Sequence, residues 1–158
     1  MSNVERGNRQ GDPLRIKTKS LAVHVLRLVD ALNARDVATQ VIVRQLVRSA
    51  TSVGANYRAA TRARSSKEMY AKLAIVEEEA DEVMYWIELM QESRKANSDT
   101  LRQINNLAHE VVAMVVASKK TLSGRMAQEP GTKSRRRGRS TFDARHSPFP
   151  DSESGSLQ

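Results

Sequence analysis

The sequence predicts an all-α protein: an up-down-up-down antiparallel four-helix bundle followed by a disordered C-terminal tail. Three observations predict it. No proline and scarcely any glycine occur between Leu14 and Ala127, so that stretch lacks the turn residues hairpins need. Leu, Val, Ala and Met carry the apolar content, with two Phe, three Tyr and one Trp, which suits helix packing better than sheets. The apolar positions of the central stretch recur at spacings of three and four, the period of one helix face.

Residues 1–13 are polar and read as a flexible N-terminus. A first helix runs from about Arg15 to Asn33 on the seam Leu21, Val25, Leu28 and Leu32. A short turn follows, and Asp36 is placed to cap a second helix from about Val37 to Arg62. Its apolar side is Val43, Leu46, Ala50, Val53, Tyr57 and Ala60. Ser65 and Glu68 have capping-box spacing and start a third helix with the seam Leu73, Val76, Ala80, Val83, Ile87 and Met90. Asn97-Ser98-Asp99 signals the start of a fourth, with the seam Leu101, Ile104, Ala108, Val111, Val115, Ser118 and Leu122. Helices 3 and 4 keep a strict 3.5-residue repeat, as near-parallel bundle packing requires. Short connections make neighbours antiparallel, which gives one bundle domain over residues 14–127. The pattern stops there, and residues 128–158, rich in Gly, Pro, Ser and Arg, read as a disordered basic tail. Its run Lys133 to Arg139 adds non-specific affinity for polyanions or merely aids solubility.

The net charge of +8 favours nucleic acid or another anionic surface as partner. There is no cysteine, so disulfide and thiol chemistry are excluded. No apolar run is long enough to span a membrane and no secretory signal is evident, so the expected location is cytoplasmic.

The feature that points most directly to function is a row of arginines. Arg44, Arg48, Arg58 and Arg62 fall within a stripe about 80° wide and about 27 Å long on helix 2, roughly opposite its apolar side. Arg64, Lys67 and Lys72 extend it. Arginines spaced along a rigid helix can meet successive phosphates with paired hydrogen bonds. The competing reading is that the row pairs with acids. Helix 3 supplies the complement in Glu77, Glu78, Glu79, Asp81, Glu82, Glu88 and Glu92, which lie within sixteen residues free of basic side chains. One subunit's basic face would then meet another's acidic face. Tyr85, Trp86 and Leu89 fall outside the helix 3 seam, and Val112 and Val116 widen the apolar arc of helix 4. Together these five suggest a buried subunit interface.

Gly54 inside helix 2 reads as a kink or a close helix crossing. Ser49 and Asn56 read as satisfied polar groups at the edge of the seam. His24, His109 and His146 have no partner at metal-ligand spacing, and the Glu-x-x-His pairs of a di-metal bundle are absent. No phosphate loop and no nucleophile–base pair is visible. The expectation is a protein without enzymatic activity, metal or cofactor.

The stretch from Arg48 to Ala60, RSATSVGANYRAA, resembles the signature of the bacterial "four helix bundle protein" family. That family includes proteins encoded in 23S ribosomal RNA intervening sequences and the accessory variability determinant of diversity-generating retroelements. The match continues through Ser65 to Glu68, Lys72 to Glu82 and Tyr85-Trp86, covering about residues 14–125, with the tail outside it. The resemblance implies a four-helix subunit, often assembled as a ring-shaped homopentamer with a basic surface. For the retroelement members it implies binding of RNA or DNA and of a reverse transcriptase, without enzymatic activity. Carried onto this chain, it points to Arg44, Arg48, Arg58, Arg62 and Arg64.

Overall fold

A computed structural model describes residues 11–32 and 34–128. The expected flexible N-terminus through Gln10, the turn residue Asn33 and the basic run of the tail lie outside the described residues.

The described chain forms four helices: α1 (Pro13–Ala31), α2 (Val37–Ala60), α3 (Ser66–Glu92) and α4 (Ser98–Gln128). Their ends follow from local chemistry. Asp12 caps α1, its Oδ1 accepting the N–H groups of Leu14 and Arg15, and Pro13 takes the first helical position. The helix thus begins two residues before Arg15, because Asp12-Pro13 is itself a start signal. Asp36 caps α2 by accepting the Thr39 N–H at 2.9 Å and the Thr39 hydroxyl at 2.6 Å. Ser65 Oγ caps α3 through the Glu68 N–H, while the Glu68 carboxylate reaches back to accept the N–H of Arg64 at 2.8 Å. Asn97 Oδ1 accepts the Asp99 N–H at the start of α4.

Helix α2 ends at Ala60, two residues before the expected boundary. Arg62 sits in the following turn, and its Nε donates to the carbonyl of Arg58 at 3.2 Å. Helix α3 closes differently. Arg94 adopts φ 53°, the Arg94 N–H donates to Gln91 O and the Lys95 N–H donates to Met90 O. These two bonds are the 5→2 and 6→1 pair of a Schellman stop, normally built around glycine.

Each helix packs on two neighbours, α1 on α2 and α4, and α3 on α2 and α4, so the four stand in a square. The connections span residues 32–36, 61–65 and 93–97, five residues each, and force the antiparallel alternation. Two contacts record the topology. Lys95 in the last connection donates to Asp36 in the first at 2.9 Å, and Tyr57 near the end of α2 donates its hydroxyl to Asp12 before α1 at 2.6 Å. Alternating helices bring both pairs together.

The core follows the seams. Leu21, Val25 and Leu28 of α1 are buried, and Leu32 packs partly against them. The α3 seam is buried throughout, with Met84 added, and so is the α4 seam except the half-buried Ser118. On α2 the buried stripe is Thr39, Ile42, Leu46, Ser49, Ala50, Val53, Tyr57 and Ala60, and the expected Val43 is only half-buried. Ile42, four residues before Leu46, takes that place because the 3.5-residue repeat puts the seam there. Buried Ser49 is satisfied, its hydroxyl donating to Gln45 O at 3.0 Å, and Asn56 Nδ2 donates to Ser52 O at 3.1 Å. No described helix is long and apolar enough to cross a membrane.

Candidate nucleic-acid interface

Helix α2 contains three arginines and no acidic residue. Packing between α1 and α3 divides the row that the sequence presents as one. Arg48 leans towards α3, where Nη1 donates to both carboxylate oxygens of Glu79 at 3.2 Å and Nη2 donates to Glu82. Glu82 also accepts the Trp86 indole N–H at 3.0 Å. The hydrogen bond from Arg48, helped by Trp86, holds the Glu82 carboxyl below its ordinary pKa, and the same bond raises that of Arg48. One guanidinium therefore faces two carboxylates of its own chain. The cluster carries a net charge of −1 and is a poor seat for phosphate.

Arg58 leans the other way, towards α1. There, four residues of each helix, spaced three or four apart or adjacent, line a groove of about 410 Å³: Arg15, Thr18, Lys19 and Ala22 from α1, and Thr51, Gly54, Ala55 and Arg58 from α2. A smaller basin formed by Arg15, Arg58, Thr61 and Arg62 adjoins it at the capped end of α1. The floor is small: a Cβ added to Gly54 would lie 3.6 Å from the backbone oxygen of Thr18. The hydroxyls are turned onto their own helices, Thr18 donating to Arg15 O and Thr51 to Val47 O. No lining residue is acidic. Among the described residues, Lys19, Arg58 and Arg62 have no carboxylate partner.

The other three sides of the bundle carry crossed ion pairs: Arg48 with Glu79 and Glu82 between α2 and α3, Lys119 with Glu77 at 2.7 Å between α3 and α4, and Lys17 with Glu110 between α1 and α4. Among the described residues, the α1–α2 side instead sets Lys19 of one helix against Arg58 of the other. It is pinned by the neutral hydroxyl of Tyr57 on Asp12, and burial, then this bond, pushes the Tyr57 pKa up, keeping its proton in place. Arg15 and Lys19 are the two groove cations that sequence reasoning misses. Their i, i+4 spacing next to the α1 seam is the available signal.

The remaining expected residues lie around this site. Arg44 is exposed on α2, Arg64 and Lys67 are exposed at the turn into α3, and Lys72 is half-buried on α3. Of the expected interface residues, Trp86, Leu89 and Val112 pack partly against the subunit's own core. Tyr85 is 53% exposed and meets Trp86 edge-on at 4.9 Å, and Val116 is 45% exposed. Across the bundle from the basic groove, Glu77, Glu78, Asp81, Ala74, Val112 and Lys119 line another between α3 and α4. No group of three or more His, Cys, Asp or Glu among the described residues is arranged to hold a metal ion.

A family model described as "23S rRNA-intervening sequence protein" matches residues 15–117. Among solved structures, the chain is similar to a protein of unknown function from the S23 ribosomal protein family of Bacteroides thetaiotaomicron VPI-5482. The identity is 30% and the TM-score 0.61, over 68% of this chain and 98% of that one. No curated protein matches.

Proposed function

We propose, from the premise that the chain belongs to the 23S rRNA-intervening sequence protein family, that it is a non-enzymatic accessory protein that binds RNA or DNA through the α1–α2 groove. The observation that carries this reading is the groove itself, with Lys19, Arg58 and Arg62 free of carboxylate partners among the described residues. Like charges held together on a rigid scaffold repel one another, and a polyanion relieves that repulsion. The contacts are to backbone phosphate, because the groove has no aromatic side chain to stack a base. Arg44, Arg64 and Lys67 extend the positive surface, and Arg48 drops out of the binding set. Assembly into a homo-oligomer, with a pentamer as the stoichiometry, and assistance to a reverse transcriptase rest on the family resemblance. Of the five side chains expected at a subunit contact, Tyr85 and Val116 are the exposed ones.

The test is the double variant Arg58→Glu and Arg62→Glu in the full chain, assayed by fluorescence anisotropy with a labelled RNA at low salt. Affinity should fall at least about tenfold, with helical circular dichroism and oligomer size unchanged. Unchanged affinity would sink the reading. Dissociation of the oligomer would favour the rival, in which this face docks on the acidic α3 of a neighbouring subunit.

A further inference from the structure

We infer that the α1–α2 groove takes a single unpaired nucleic-acid strand, sugar–phosphate backbone inward, and discriminates against duplex. The inference rests on the nucleic-acid reading above and names its substrate class.

Width is the first argument. The groove walls are two packed helices, whose axes stand about 8–10 Å apart. A duplex is too broad for such a trough: its major groove alone is about 12 Å wide. It would rest on the rims. A single strand can lie between the walls, with Lys19 on one side and Arg58 and Arg62 on the other. From Thr51 to Arg58 on α2 the groove runs about 10 Å, or roughly three nucleotides, before it meets the basin at Arg62.

The floor is the second argument. Glycine inside a helix costs about 1 kcal/mol relative to alanine. Helix packing does not demand it at position 54, since an added Cβ would make only ordinary contact, 3.6 Å from Thr18 O. What the glycine provides is depth. The small side chains of Ala22 and Ala55 leave the groove unfilled, and the hydroxyls of Thr18 and Thr51 are already bonded to their own helices. Such a floor admits a backbone and reads no base edge, so binding is strand-selective and independent of sequence.

The experiment fills the trough without changing charge. Ala55 is exposed, so Ala55→Leu narrows the groove without entering the core. The full chain is titrated against a labelled unstructured uridine oligonucleotide and against an RNA duplex of equal length. Ala55→Leu should weaken single-strand binding by about tenfold and duplex binding by less than about twofold. Gly54→Ala should move single-strand affinity the same way by a smaller factor while raising the thermal midpoint, which separates the groove effect from loss of fold. Equal losses for both nucleic acids, or no loss for either, overturn the inference. Failure of the underlying reading looks different: Arg58→Glu with Arg62→Glu then leaves both affinities unchanged.

Discussion

Arg48 and Arg58 share a helix and a side-chain type, yet their surroundings give them different tasks. Arg48 closes the α2–α3 side against Glu79 and Glu82, while Arg58 stands over the groove. Neutralising each should separate these tasks. Arg48→Gln leaves two carboxylates facing each other, so the thermal midpoint should fall by a few degrees with RNA affinity within about twofold. Arg58→Gln should weaken RNA binding several-fold with little change in midpoint. The reverse pattern, in melting curves and RNA titrations of both variants, would return Arg48 to the binding set. No inspection of α2 alone distinguishes the two arginines. They lie on either side of one exposed row, and the difference is imposed by which neighbour each leans towards.

The helix termini show what local chemistry encodes. Asp36, Ser65 with Glu68, and Asn97 cap the helices that their spacing predicts, since capping depends on residues three or four apart in the chain. The core seams of α1, α3 and α4 are legible for the same reason: a repeat needs only its own helix. The groove is not legible, because it exists only once α1 and α2 pack at a particular rotation, and Lys19 carries no sign of Arg58 in its own segment. The stop of α3 is also hidden, because a left-handed position is normally marked by glycine and here carries Arg94 at φ 53°. That conformation costs an L-residue about 1–2 kcal/mol, so Arg94→Gly should raise stability by about 1 kcal/mol, seen as a higher urea midpoint at unchanged slope. An unchanged midpoint would show that the Arg94 side chain offsets its backbone strain.

The whole bundle is closed at one end by Asp36, which joins the first connection to Lys95 of the last. The Thr39 hydroxyl, then the Thr39 N–H, then Lys95 hold the Asp36 carboxyl well below the usual carboxylate range. A depressed folded pKa means that the unfolded chain takes up the proton first. The stabilisation is therefore complete above about pH 4 and is lost as pH falls below it. Thermal midpoints measured from about pH 6 down to about pH 2 should be flat and then drop, and Asp36→Asn should make the drop shallower. An identical acid limb in wild type and variant would remove Asp36 from the account.

Charge is also unevenly shared across the square of helices. The basic groove lies between α1 and α2, and the side that faces away from it, between α3 and α4, exposes Glu78 and Asp81. The subunit is in effect an electric dipole whose axis crosses the bundle. In the field of a polyanion it experiences a torque as well as an attraction, and it turns its groove forward before contact. Orientation is then largely settled during approach, so fewer collisions are wasted, and added salt slows capture by blunting the rotation as well as the pull.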